Sequence, residues 1–127
     1  MWATTNIGAL VPEDYGLYFA WGETQGYEDK TVDKQFNWGD YKFGTNTNLS
    51  KYNTKDNLVM LKLEDDAAYQ SDNTCRMPTT ADLQELVDNT TSAWITLNSV
   101  KGIKFTSKVN SNSIFIPAAG YCVDASV

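Results

Sequence analysis

The chain has 127 residues, of which 42% are hydrophobic and 20% are charged, so we expect one folded domain rather than a disordered segment. A net charge of −6 argues against a nucleic-acid partner, and the sequence has no Lys/Arg cluster that would hold an anionic membrane surface. The chain has no histidine, which excludes Ser–His–Asp and Cys–His catalysis and the zinc sites that use histidine ligands. No apolar run approaches the roughly 20 residues that span a bilayer, so we expect no membrane insertion.

Two short strands are predicted in the first part of the chain. The first is expected at residues 2–7, and we expect no signal peptide before it. The second covers residues 17–21, where Leu17, Phe19 and Trp21 fall on one face by the two-residue period of a strand. This pattern predicts a buried strand with Trp21 in the core.

Residues 22–57 combine many polar residues with six aromatic ones, which is typical of a long loop packed by its own side chains. Aromatic faces stack on the C–H faces of sugars and carboxylates bind sugar hydroxyl groups, so we interpret this region as a carbohydrate-binding site. The candidate ligand-binding residues are Trp21, Glu23, Tyr27, Trp38 and Tyr41. In the alternative interpretation, these aromatic side chains only hold the loop against the core.

Glu64, Asp65 and Asp66 open a predicted short helix, where acidic side chains favour the positive end of the helix dipole. Two other interpretations stay open. The three acids could bind calcium, although they lack the spacing of a calcium loop. Asp65 or Asp66 could also form a glycosidase-like carboxylate pair with Glu23 or Glu85. We predict no catalytic residue, no bound metal and no other cofactor.

The main helix is predicted to begin after Thr79 or Thr80, because either residue can cap a helix and an apolar stripe with helical spacing follows. Asp82 stands three residues after Thr79, as in a capping box. The stripe comprises Leu83, Leu86 and Val87.

The last third of the chain predicts an antiparallel hairpin. Residues 103–109 alternate between apolar and polar side chains, residues 110–112 form a turn, and residues 113–116 form the partner strand. The hairpin also has a basic side, which we interpret as a solvated strand face that protects a sheet edge from aggregation. It comprises Lys101, Lys104 and Lys108.

Cys75 and Cys122 are too few for a four-cysteine metal site. They are a candidate disulfide, which would close a loop of nearly fifty residues and add about 4 kcal/mol of stability on the chain-entropy model. The alternative is that they are buried or reactive thiols.

Five groups of motifs cover most of the chain in an order that resembles one known family. Two lie in the first part: Trp-Ala-Thr with Asn-Ile-Gly-Ala at residues 2–4 and 6–9, and Pro-Glu-Asp-Tyr-Gly with Tyr-Phe-Ala-Trp-Gly-Glu-Thr at residues 12–16 and 18–24. Three follow: Leu-Glu-Asp-Asp-Ala-Ala-Tyr at 63–69, Arg-Met-Pro-Thr with Leu-Gln-Glu-Leu at 76–79 and 83–86, and Ser-Ile-Phe-Ile-Pro-Ala-Ala-Gly-Tyr at 113–121. Together they resemble the Fibrobacter succinogenes major paralogous domain family of surface proteins from Bacteroidetes, a group that includes gut bacteria. That family is similar to the formylglycine-generating-enzyme (sulfatase-modifying factor) variant of the C-type lectin fold.

The resemblance implies an α+β, C-type-lectin-like fold with one main helix and an antiparallel sheet, in a single domain over residues 1–127. The family continues past the residues that match Gly120-Tyr121, so we expect the domain to be incomplete at its C-terminus. The absent part holds the catalytic cysteines of true formylglycine-generating enzymes. The resemblance therefore implies a non-catalytic binding module for glycan or protein ligands, at the cell surface or secreted. The alternative is an adhesin-like assembly piece, completed as a homodimer through an open sheet edge.

Overall fold

The computed structural model describes residues 1–27 and 36–121. It is a small α+β structure with two helices and two antiparallel sheets. The elements in chain order are β1 (Gly44–Thr45), β2 (Asn48–Leu49), a 3₁₀ turn (Leu63–Asp65), α1 (Ala67–Ser71), α2 (Thr80–Asn89), β3 (Thr90–Leu97), β4 (Val100–Ser107) and β5 (Ser113–Pro117). Neither helix has the length or the apolar run that a bilayer crossing requires, within the part of the chain that the structure describes.

Backbone contacts divide the chain into two units. The first unit comprises Met1–Leu17 and Pro78–Gly120, and it contains α2 and the sheet of β3, β4 and β5. The second unit comprises Tyr18–Met77 together with Tyr121, and it contains the β1–β2 pair, the 3₁₀ turn and α1.

Helix α2 begins with the predicted capping box. The Thr79 hydroxyl accepts the backbone N–H of Asp82 at 3.2 Å, and the Asp82 carboxylate accepts the backbone N–H of Thr79 at 2.7 Å. Leu86 is buried, whereas Leu83 and Val87 of the same stripe are exposed. The predicted main helix is therefore confirmed, but only one residue of its apolar stripe lies in the core.

The three-stranded sheet has the order β3-β4-β5. The predicted hairpin of β4 and β5 is confirmed, with Phe105 opposite Ile114. Its first strand ends at Ser107 rather than at residue 109, because the chain already turns at residues 108–110. Strand β3 was not predicted, because it follows α2 with no glycine or proline between them. Asn98 and Ser99 join β3 to β4 with φ values of 46° and 70°, as in the two-residue type I′ turns of hairpins.

Phe115 and Gly102 form the buried centre of this sheet. The Phe115 ring lies directly on Gly102, so that a Cβ atom at residue 102 would be 2.5 Å from Phe115 Cζ and in collision with the carbonyl oxygen of Ile116. A glycine is needed here because of this close approach of ring and backbone.

Replacement of Gly102 by alanine is expected to lower the free energy of unfolding by about 2 kcal/mol, because the neighbouring backbone must move to admit a methyl group. Urea unfolding followed by circular dichroism measures the loss. Gly39→Ala is the control, since its Cβ would meet only the flexible side chain of Asn37, at 3.2 Å. Equal stability of the Gly102→Ala variant and the wild type would contradict the described packing.

Both strands predicted near the N-terminus are absent from the structure. Residues 2–7 form bends and turns, and the N–H of Leu17 donates to the carbonyl of Ile7 at 2.8 Å to close this loop. Residues 17–21 contribute only an isolated bridge between Tyr18 and Tyr27, with hydrogen bonds of 3.0 and 2.7 Å. Gly16 and Gly22 flank residues 17–21 with left-handed φ values of 71° and 76°. These two glycines turn the chain on both sides of the alternating pattern, which therefore does not become a strand.

Candidate functional site

Six aromatic side chains of the second unit form a continuous chain of edge-to-face contacts, which we call the aromatic cluster. Ring centroids are 4.9 Å apart at the closest pair and 6.4 Å apart at the most distant, with interplanar angles of 69° to 87°. This is the arrangement that aromatic quadrupoles favour. The members are Trp21, Phe36, Trp38, Tyr41, Phe43 and Tyr52.

The structure brings the predicted ligand-binding residues together around this cluster. The Tyr41 hydroxyl donates to the carbonyl of Trp21 at 2.7 Å, and the ring of Trp38 lies 5.4 Å from that of Tyr41. The carboxylate of Glu23 accepts the hydroxyl of Tyr27 at 3.1 Å. The second oxygen of that carboxylate accepts the backbone N–H of residue 42, also at 3.1 Å. The five residues are thus neighbours, and their role in ligand binding stays a prediction.

Trp21 is the member of the cluster that faces solvent. Trp21 is 50% exposed, whereas Phe43, in the middle of the chain of ring contacts, is 6% exposed. The expectation that Trp21 lies in the core is wrong, because the chain turns at Gly22, where φ is 76°. The turn holds the Trp21 ring against the edge of Tyr52 and leaves the rest of the indole free.

A buried carboxylate lies under the cluster. Asp65 is 2% exposed and accepts hydrogen bonds from the ammonium groups of Lys42 at 2.7 Å and Lys51 at 2.5 Å and from the hydroxyl of Tyr52 at 2.7 Å. The same two ammonium groups lie 4.8 and 5.6 Å from the ring centre of Phe43, within cation–π range. We call Asp65, Lys42, Lys51 and Tyr52 the charged network.

The pKa of Asp65 reflects this environment. Burial alone raises the pKa, but the hydrogen bonds from Lys42, Lys51 and Tyr52 outweigh burial and hold the pKa well below its ordinary value. Hydrogen bonds to Asp65 and to Glu64 raise the pKa of Lys51 above its ordinary value. The Asp65 carboxylate is therefore ionised at neutral pH, and its hydrogen bonds with Lys42, Lys51 and Tyr52 join the loop of residues 42–52 to the 3₁₀ turn.

The hydroxyl groups at the rim of the cluster stay protonated over a wide pH range. Burial, followed by the hydrogen bond to Glu23, raises the pKa of Tyr27. Burial, followed by the negative charge of Glu23, raises the pKa of Tyr41. Both phenols are therefore neutral hydrogen-bonding groups around the Glu23 carboxylate.

The three consecutive acids have three different roles. Glu64 is exposed and accepts from Lys51 at 2.9 Å, and Asp65 belongs to the charged network. Asp66 is the N-cap of α1, where its Oδ1 accepts the backbone N–H groups of Ala68 at 2.9 Å and Tyr69 at 3.2 Å. Both oxygens of Asp66 also accept the N–H of residue 77, at 3.2 and 2.9 Å. The predicted helix start at these residues is confirmed as the 3₁₀ turn and α1.

No metal-binding arrangement occurs in residues 1–27 or 36–121, where no three His, Cys, Asp or Glu side chains converge. Cys75 is half-buried in the segment that follows α1, and its N–H donates to the carbonyl of Asp72 at 2.8 Å. The candidate disulfide between Cys75 and Cys122 requires Cys122, which lies outside the described residues.

Besides strand β3, two features of the structure were missed by the sequence analysis. The first is the pairing of Asp65 with two lysines that precede it by 23 and 14 residues, a separation for which the sequence carries no signal. The second is Trp94 on β3, which is 69% exposed.

No protein-family model matches the chain, and no match is found among curated proteins or among solved structures.

Proposed function

We propose that the chain is a non-catalytic binding module and that its aromatic cluster binds a glycan. The half-exposed indole of Trp21, held on a rigid set of rings beside the Glu23 carboxylate, is the observation that carries this proposal. A sugar ring presents a flat C–H face that stacks on an exposed indole, and its hydroxyl groups need polar partners beside that face.

The polar partners are available next to the indole. Each oxygen of Glu23 accepts one hydrogen bond from the part of the chain that the structure describes and keeps a further lone pair for a sugar hydroxyl. The net charge of −6 disfavours anionic sugars, so we propose neutral glycans as the ligand class.

The environments of Asp65 and Asp66 support a binding role over a catalytic one. A glycosidase acid needs a raised pKa and access to substrate. Asp65 has a lowered pKa and is buried by three donors, and Asp66 is committed to capping α1. The proposal of a binding module therefore includes no catalytic residue.

The replacement Trp21→Ala is expected to weaken binding of a soluble neutral oligosaccharide identified on a glycan array. The loss amounts to at least about 1.5 kcal/mol, roughly tenfold in Kd, because the stacking surface disappears. Isothermal titration calorimetry measures it. Trp94→Ala removes an exposed tryptophan of the other unit and should leave Kd unchanged. Equal affinity of Trp21→Ala and the wild type would exclude Trp21 as the platform.

The second candidate function is assembly through an open sheet edge. Its support is the position of charge in the three-stranded sheet: Lys101 and Lys104 lie on the central strand β4, whereas neither β3 nor β5 carries a charged residue. The interpretation of these lysines as guards of an edge strand is therefore wrong. Native proteins commonly place charge on sheet edges to prevent pairing with another chain, and these edges lack it.

The fold family and the location of the protein are further proposals. We propose that the fold is related to the C-type lectin fold. The support is the sequence order of the motifs, together with the confirmed helix α2 and the confirmed β4–β5 pair. A location at the cell surface or outside the cell follows from the same resemblance, and either location would suit a module that binds glycans.

A further inference from the structure

We infer that β3 is the sheet edge at which a second copy of this chain pairs, antiparallel and about a two-fold axis at Trp94. The inference rests on the second candidate function and names its edge, partner and register. It depends on which backbone groups of β3 point away from the sheet, on how open that edge is, and on whether β3 complements itself.

The hydrogen bonds of β4 define the free groups of β3. The N–H of Ala118 donates to the carbonyl of Lys101 at 2.9 Å, so the odd-numbered residues of β4 bond towards β5 and the even-numbered ones towards β3. Lys104, an even-numbered residue, lies opposite Ala93. Odd-numbered residues of β3 therefore bond inward. The backbone N–H and C=O groups that point outward belong to Ser92, Trp94 and Thr96.

The β3 edge is also the more open of the two. Residues 91–94 and 96 are exposed, whereas Phe115 and Pro117 of β5 are buried. Pro117 has no N–H, and its carbonyl already accepts from Ala119 at 2.9 Å. Strand β3 has eight residues, no proline and no charge, which are the features of an edge that pairs readily.

The outward residues of β3 carry a symmetric order of side chains, with hydroxyl groups on Ser92 and Thr96 on either side of the Trp94 indole. The order is therefore the same for a strand that runs in the opposite direction. Thr90 does not extend the pairing, because it is the C-cap of α2 and its Oγ1 donates to the carbonyl of Leu86 at 2.6 Å. A second copy centred on Trp94 therefore places Trp94 opposite Trp94 and Ser92 opposite Thr96. Such a register forms about six backbone hydrogen bonds, two for each outward pair.

The side chains on the same face favour this partner. Trp94, Ile103 and Ile116 lie side by side across the three strands. Trp94 is 69% exposed and Ile116 is 38% exposed. Two-fold pairing makes this row continuous through the two indoles, so that the flank of Trp94, its most exposed member, meets the Trp94 of the second copy. No charge on either β3 opposes the contact.

A charge exchange at Trp94 tests the register. Wild-type protein is expected to show twice the mass of one chain in sedimentation equilibrium. Trp94→Glu and Trp94→Lys are each expected to be monomeric, because like charges meet across the axis, and an equimolar mixture of the two should recover the dimer. Single variants that remain dimeric, or a mixture that stays monomeric, would overturn the inference.

A matched pair of proline variants tests the edge. Ser92→Pro removes an outward N–H of β3 and should abolish the dimer, whereas Ser113→Pro removes an outward N–H of β5 and should leave it intact. Circular dichroism checks that each variant folds. If only Ser113→Pro abolishes the dimer, β5 is the edge: the inference fails while the assembly function stands. A monomeric wild type at every concentration overturns both.

Discussion

Replacement of Phe43 by alanine is expected to lower the free energy of unfolding by about 4 kcal/mol. Phe43 is 6% exposed, and its ring contacts the edges of Tyr41 and Tyr52 at centroid distances of 5.8 and 5.4 Å. A Cβ atom on Gly22 would be 2.7 Å from the Phe43 ring, which shows how closely the backbone approaches it. Loss of the ring leaves a cavity that two aromatic neighbours and two ammonium groups cannot fill without moving.

Urea unfolding of the whole protein, followed by tyrosine and tryptophan fluorescence, measures this loss of stability. Val59→Ala is the control in the same unit, since Val59 is 87% exposed and its truncation should change stability by less than about 0.5 kcal/mol. A Phe43→Ala variant that loses no more than this control would show that the aromatic cluster does not stabilise the unit.

Replacement of Asp65 by asparagine is expected to lower the free energy of unfolding by about 3 kcal/mol at neutral pH. The amide keeps the shape of the carboxylate, but it cannot accept all three donors and leaves two ammonium groups without their counter-charge. Part of the loss is offset because the Lys42 side chain is 49% exposed and remains solvated.

The difference between wild type and Asp65→Asn is expected to depend on pH. The pKa of Asp65 is lower in the folded state than in the unfolded state, so its contribution to stability is fully present above the unfolded pKa of about 3.9 and is lost as pH falls towards the folded value. Unfolding curves measured at several pH values should therefore converge in strong acid.

Glu64→Gln is the control for both measurements. It removes a carboxylate that accepts from the same Lys51, but the Glu64 side chain is 69% exposed, so the expected loss is below about 1 kcal/mol. Equal effects of the Glu64 and Asp65 replacements would show that charge number, rather than the buried position of Asp65, determines the stability of this region.

Local chemistry allowed correct prediction where the signals lie close together in the sequence. Thr79 and Asp82 are three residues apart, so their capping box is visible in the sequence and occurs in the structure. The same holds for the antiparallel pairing of β4 and β5, although β4 ends at Ser107 and the turn lies at residues 108–110 rather than 110–112. In both cases, the groups that interact are near neighbours in the chain.

The remainder depends on contacts that the sequence does not mark. Strand β3 begins where α2 ends, at Thr90, and only its pairing with β4 distinguishes it from a continued helix. Trp21 alternates with Leu17 and Phe19 as in a strand, yet a left-handed glycine turns the chain and exposes it. An alternating pattern shows which side chains are apolar, but it does not show whether a partner strand is available for pairing.

The sequence predicted the residues of the candidate site, but not the charged network that holds them in place. The five proposed ligand-binding residues were chosen because aromatic and acidic side chains coincide in one loop, and the structure places them together. The charged network beneath them could not be predicted, because it joins Lys42 and Lys51 to Asp65 across an intervening segment. Tyr52 reaches Asp65 from a backbone with a φ of 58°, which non-glycine residues seldom adopt.

The bonds of Asp66 determine where this region can vary in sequence. Within the described residues, the partners of its carboxylate are all main-chain N–H groups, those of Ala68, Tyr69 and Met77, which every residue except proline provides. Those three positions can therefore change without loss of a bond to Asp66. Asp66 itself cannot change so freely, because only a carboxylate of this length offers acceptors on both oxygens at the start of α1. The hydrogen bonds of its carboxylate therefore constrain the side chain of Asp66 and not the side chains of the residues that donate to it.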